Sequence, residues 1–257
     1  MKTVIIVLLI ATMLLVSCSP AEELPQPEPV QQPAVEPAAV PSAPVETQPE
    51  EPQVKQQPLD PEIASLLAKS DEIDSYGYAY SSRVRNQFEN YDTAAFSVYV
   101  NGNNIKKVYA APQKLRDNIH YNEVFLDSDA MTAYGICTAR SIKCTGLENK
   151  AYKVEYNFER LRITPFTVKE SVLSSAEIEQ QGVFQNRKSS VLRFTDSDGN
   201  EERIWVDQFY GMPLKHTIFE VNDGDELVLK EFIFGQFSAA NTKKSETTLP
   251  VGYEKQD

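Results

Sequence analysis

The residues of this chain best placed to do chemistry are its three cysteines. Cys18 closes Leu15-Val16-Ser17-Cys18, directly after a short apolar run. A thiol in that place suits a lipobox: the chain is cut before the cysteine, and the sulfur then takes a diacylglycerol through a thioether. Two acyl chains anchor stably where one is marginal. The plainer reading is an ordinary secretory signal, with Cys18 incidental. Cys137 and Cys144 flank Thr-Ala-Arg-Ser-Ile-Lys. In an exported protein they read as a disulfide clamping a short hairpin. A redox pair would favour tighter spacing, and no His or Cys stands nearby to complete a zinc site.

Other reactive constellations are missing from the sequence. His120 and His216 are far apart, and nothing marks them as a pair. No Gly-x-Ser-x-Gly elbow, His-Glu-x-x-His pair or phosphate-cradling glycine loop occurs. Asp196-Ser197-Asp198-Gly199-Asn200 has some calcium-loop character, but its glycine comes two places early and strands flank it, so a hairpin turn is preferred. Glu201-Glu202 suits a solvated hairpin arm. The sequence therefore predicts no enzymatic activity, no cofactor and no metal. From residue 62 onward there are 23 Lys+Arg against 29 Asp+Glu. That balance argues against nucleic acid and against binding anionic headgroups by charge alone.

The segments that position these residues differ sharply in composition. Lys2 is the one charge before an apolar run from Val4 to Val16, which only Thr12 interrupts. Thirteen residues fall short of the ~20 that span a bilayer as a helix. They suit the apolar region of a signal peptide, residues 1–17. Residues 18–61 read as the lipidated cysteine and a Pro/Gln/Glu-rich tether. Twelve of the sixteen prolines lie in 19–61, and aromatic residues are absent there. Such a segment has little to build a core from. Proline favours an extended, solvated spacer with a ceiling of ~130 Å at ~3.1 Å per residue. Residues 62–257 are one domain of ordinary size.

Within the domain, strands dominate. Phe96 to Val100 and Ile105 to Tyr109 flank Asn101-Gly102-Asn103-Asn104, a hairpin signal. Asp198-Gly199 divides Val191–Thr195 from Arg203–Asp207, and Asp223-Gly224 divides Lys215–Val221 from Leu227–Phe234, so these segments predict an antiparallel meander. Tyr152, Val154, Tyr156 and Phe158 alternate with polar residues and predict a half-buried strand. Pro61 to Ile73 carries Ile63, Leu66, Leu67 and Ile73 at helical spacing. Pro165 to Gln181 has a looser helical pattern. The fold class is α+β, mostly antiparallel β.

The closing third resembles the outer-membrane lipoprotein-sorting/lipoprotein-carrier superfamily, with its LolA-like, LppX-like and RseB-like members. The matching residues are Arg203-Ile204-Trp205-Val206-Asp207, Tyr210-Gly211-Met212-Pro213-Leu214-Lys215, and the final Leu249-Pro250-Val251-Gly252-Tyr253-Glu254. The leading helix running into Ser75-Tyr76-Gly77-Tyr78-Ala79-Tyr80 is also similar. Residues 90–190 match by element order only. The resemblance implies a strongly curved half-open β-barrel, with an N-terminal helix and a mid-chain helical insertion over the concave face. It implies an apolar cavity for acyl chains, or a sensory module on the same fold. Trp205, Phe219, Phe232, Phe234 and Tyr156 are then either core residues or cavity wall. Phe232 and Phe234 share a face, so both are core or both are lining. The partners implied are a membrane through the lipid anchor, a lipid or acyl-chain ligand, and an envelope protein. A tethered protein departs from the soluble shuttling carriers of that superfamily.

Overall fold

A computed structural model describes residues 58–222 and 224–257. The expected signal peptide, Cys18 and nearly all of the expected tether lie outside the described residues. Helix α1 (Pro61–Ala68) opens the fold. Asp60 caps it: its Oδ1 accepts from the Glu62 amide at 2.8 Å and the Ile63 amide at 3.4 Å. Pro61 at the first turn needs no amide partner, which suits a helix start. Ile63, Leu66 and Leu67 are buried. The helix stops short of Ile73, because the Ser70 hydroxyl donates to the Leu67 carbonyl and a turn follows.

Twelve strands follow: β1 (Ser75–Arg85), β2 (Tyr91–Asn101), β3 (Asn104–Arg116), β4 (Ile119–Asp127), β5 (Thr132–Ile136), β6 (Lys150–Lys153), β7 (Glu177–Phe184), β8 (Arg187–Thr195), β9 (Glu201–Asp207), β10 (Pro213–Asn222), β11 (Asp225–Ala239) and β12 (Glu254–Gln256). They form one sheet in the order β12-β6-β5-β4-β3-β2-β1-β11-β10-β9-β8-β7. Every neighbouring pair is antiparallel except β12 on β6. The sheet does not close, and it is strongly curved. In a flat sheet β8 would stand ~14 Å from β11, three strand spacings away. Yet Arg187 on β8 donates to the Phe237 carbonyl on β11 at 2.8 Å. The half-open antiparallel barrel is thus the observed architecture.

Alternation along the strands sorts the side chains by face. Tyr76, Tyr78, Val98, Leu192, Ile204, Val206, Phe232 and Phe234 pack together with Ile63, Leu66 and Leu67 of α1 and with Val168. That face is the main core. The hairpin turns expected at residues 101–104 and between β8 and β9 are present. In the second, Asp196 Oδ1 accepts from the amides of Asp198 and Asn200, as a side chain shaping a turn does. The β9–β10 turn is ordered by Asp207, which is almost fully buried. Its Oδ1 accepts from the Phe209 and Tyr210 amides, and its Oδ2 from Arg187. Gly211 there has φ +68°, and a Cβ would sit 2.3 Å from the Leu66 carbonyl of α1. Only glycine lets this turn lie against the helix.

Two expected elements differ. The helical pattern of 165–181 holds only for α3 (Pro165–Glu170), while Glu177–Phe184 is strand β7. Pairing along β8 outweighs a weak helical spacing that includes the β-branched Ile178 and runs straight into Gly182 and Val183. The alternation from Tyr152 to Phe158 is not one strand either. Strand β6 ends at Lys153, and Tyr156–Glu159 is a short helix, α2. A last short helix, α4 (Lys244–Thr247), precedes the closing segment. There Leu249 and Tyr253 cover Phe125, Ile136 and Ala151.

Cys137 and Cys144 form a disulfide, with Cα atoms 5.3 Å apart, in the loop joining β5 to β6. The bridge is buried against Leu147 and Tyr152. Replacing both cysteines with serine is expected to lower the unfolding free energy by ~2.5 kcal/mol in the chain-entropy account of so short a loop. Urea unfolding of the two forms measures this, and equal midpoints would contradict it.

Candidate functional site

A cavity of about 750 Å³ lies over β11, β1, β2 and β3. The register builds its floor. Ala79 pairs with Ser97 and with Gly235, Ser81 with Ala95 and with Ile233, and Ser97 with Val108. These side chains share one face. Between them in sequence, Tyr80, Phe96 and Phe234 point to the other face and join the core. Tyr80, Phe96 and Tyr109 also line the cavity, so small side chains and half-buried aromatic residues bound this trough together. The β7–β8 turn supplies a wall through Gln185 and Asn186. A Cβ on Gly235 would come within 3.0 Å of the Gln185 side chain, so the bare backbone lets that wall approach.

A second cavity of about 160 Å³ adjoins the first, and both are lined by Ala79, Ser97 and Gln236. Its remaining lining is polar: Tyr99, Ser238, Asn241, Thr242 and Glu246, beside Gly77 and Tyr78. The Ser238 hydroxyl accepts from the Asn241 amide nitrogen at 2.8 Å. The trough is thus apolar along its length and polar at one end. Such concave, mostly apolar sites with a few polar groups are the usual form of a small-molecule site.

The sequence-predicted residues lie elsewhere. Phe232 and Phe234 do share a face, and both are buried in the core. Trp205 alternates with the core residues Ile204 and Val206, so it stands on the face opposite the core. Register places it across Lys215 from Ile233, two strands beyond the lining. There the Lys215 ammonium lies 4.7 Å above its ring. Phe219 supports the Arg203 guanidinium at 4.9 Å in the same way. Tyr156 sits on α2 against Tyr121, Val124 and Leu126, because its segment is helical. None of the five lines either cavity.

Two polar clusters escaped the sequence reading. Glu201 and Glu202 are not a solvated arm, since both are buried. Glu202 bonds His216 (Oε2 to Nε2 2.6 Å). Glu201 joins Glu226 and Glu179 around Arg203. On the core side, Glu159 is fully buried and takes Lys107 Nζ at 2.7 Å, the Tyr109 hydroxyl at 2.7 Å and the Tyr121 hydroxyl at 2.6 Å. Burial lowers the Lys107 pKa, against the pull of Glu159. Nothing in the sequence marks Glu159, whose partners come from distant strands.

Burial also raises Tyr76, Tyr78, Tyr109 and Tyr121 above the ordinary tyrosine value. A raised folded-state pKa means that stability is held below the unfolded value of about 10 and lost as pH climbs beyond it. Thermal midpoints are expected to stay level to about pH 10 and fall above it. Absorbance titration of the folded protein tests the cause: ionisation of all its tyrosines near pH 10 would contradict it.

No family model matches the chain, and no curated protein matches it in sequence. Solved structures are similar to it at low overlap. An uncharacterised conserved protein from Thermus thermophilus is 9% identical, with a TM-score of 0.40 over 76% of this chain and 96% of that one. The Pseudomonas aeruginosa MucA/MucB complex gives 12% identity and a TM-score of 0.39 over 75% of this chain, which spans 62% of that one. A LolA superfamily protein from Nitrosomonas europaea gives 14% identity and a TM-score of 0.30 over 73% of this chain and 97% of that one. The open, mostly antiparallel sheet, with α1 and α3 packed on its core face, is the architecture that the resemblance of the closing motifs implies.

Proposed function

We propose that this chain is a membrane-anchored extracytoplasmic lipoprotein whose LolA-like domain binds a lipid or other hydrophobic ligand without catalysing a reaction. The observation that carries the reading is the trough of about 750 Å³, floored by Ala79, Ala95, Ser81, Ser97 and Gly235. Its size falls within the ~300–1,000 Å³ of small-molecule sites. A domain tethered through Cys18 would capture or deliver its ligand locally, near the membrane surface, and would not shuttle.

The ligand arm is tested by titrating the full chain with a fluorescent acyl-chain probe. Saturable uptake of one probe per protein is expected, and no uptake would overturn the reading. The anchor is tested by metabolic labelling with an alkynyl fatty acid. Label on the wild type that is lost in Cys18→Ala is expected, whereas equal labelling of the two would remove Cys18 as the lipid site.

A surface sensory or protein-interaction module is the second reading, favoured by a different observation. Val183 and Phe209 are 71% and 78% exposed. The topology puts the β7–β8 and β9–β10 turns beside them at one end of the sheet. Copurification of a defined envelope protein that Val183→Ser/Phe209→Ser releases would support this reading.

A further inference from the structure

We infer that the trough selects amphiphiles by their head group, and takes single-chain molecules whose head donates hydrogen bonds in preference to anionic ones. This rests on the hydrophobe-binding reading and adds the ligand class to it. The large cavity and the small one share Ala79, Ser97 and Gln236, so a chain lying on the alanine floor leads its head into the polar end. Of the described residues lining the two cavities, Glu246 alone is charged. Its carboxylate is exposed in α4, where Oε2 accepts the Lys243 amide at 3.2 Å. Among the described residues, no lysine or arginine lines either cavity to meet a carboxylate or phosphate. Cations close by are engaged: Arg83 and Lys215 both pair with Glu231, Lys106 pairs with Glu123 above the Phe125 ring, and Lys107, over the Phe96 and Tyr109 rings, pairs with Glu159. A hydroxyl or ammonium head can donate to Glu246 and to the Asn241 side-chain oxygen. A carboxylate head would face Glu246 with no cation in the lining, and an unpaired like charge discriminates against that head.

Competition against a fluorescent acyl probe on the full chain tests this. The competitors are a monoacylglycerol, an alkylammonium and a fatty acid of one chain length, at about pH 7.5 and low salt, where surface charge is least screened. The first two are expected to bind about fivefold tighter than the fatty acid, a difference of the size that one near-surface charge gives. Glu246→Gln is expected to narrow that gap and Glu246→Lys to reverse the preference for the alkylammonium over the fatty acid. Glu246 is exposed, so both variants are expected to fold, and a thermal melt checks this. Equal affinity for all three heads would overturn the inference and leave hydrophobe binding standing. No displacement and no probe uptake would overturn both.

Discussion

Replacing Glu159 with alanine is expected to remove about 3–5 kcal/mol of unfolding free energy, the usual cost of leaving one partner of a buried ion pair uncompensated. The environment explains the size. Glu159 is fully buried, and its two carboxylate oxygens take three donors, from Lys107, Tyr109 and Tyr121. Lys107 also donates to the Glu159 carbonyl at 2.9 Å, and its ammonium lies 4.7 Å above the Phe96 ring. This network ties α2 to β3 and β4. Without the carboxylate, the ammonium and two hydroxyls lose their partner in a buried site. Lys107 then sheds its proton more readily still, since burial already lowers its pKa. A loss of that size is a large fraction of the ~5–15 kcal/mol that holds a typical domain. The double variant Lys107→Met/Glu159→Leu is expected to recover part of it, because an apolar pair of similar volume has no charge to strand, while the Tyr109 and Tyr121 hydroxyls still lack their acceptor. Urea unfolding of the three proteins measures this. A cost below about 1 kcal/mol for Glu159→Ala would contradict the burial of the pair.

The second large effect is on binding. Ala95→Trp is expected to lower the affinity for an acyl-chain probe at least about tenfold, ~1.4 kcal/mol, while moving the unfolding midpoint little. Ala95 is exposed on the floor of the trough, across from Ser81. An indole there occupies the space that a ligand would take, and an aromatic side chain is well suited to a strand. Phe234→Ala should behave in the opposite way. Phe234 is fully buried between Tyr78 and Tyr80. Its loss is expected to cost about 3–5 kcal/mol through the cavity it leaves. The folded fraction should still take up the probe. Floor and core are thus separated by two substitutions, one changing affinity and the other stability.

Much of the fold is legible in the chain because its signals are local. Gly102 and Gly199 adopt φ of +53° and +85° at the turns where the sequence puts them, and the strands on either side pair as expected. The two segments that read differently are governed by pairing with segments outside them. Glu177–Phe184 is a strand because β8 pairs with it, and the chain turns into α2 after β6 where Glu159 meets Lys107. The site was legible only in part, for a related reason. Aromatic residues suggest a lining, and Tyr80, Phe96 and Tyr109 do line the trough, but the five expected from the sequence lie elsewhere. The telling pattern is the alternation itself. Tyr76, Tyr78 and Tyr80 alternate with Gly77, Ala79 and Ser81, while Phe96 and Val98 alternate with Ala95 and Ser97. Large on one face and small on the other means that one face is packed and the other is left bare. Which neighbouring turn walls that bare face depends on how far the sheet curls, and no local signal carries it.

The most direct test of hydrophobe binding is native mass spectrometry of the full chain, followed by solvent extraction and lipid analysis. The trough predicts a species carrying one noncovalent lipid, present in the wild type and Phe234→Ala and lost in Ala95→Trp. A clean apo mass in all three, with no uptake of added amphiphile, would contradict a ligand in the trough and shift the function to the exposed surface at the β7–β8 and β9–β10 turns.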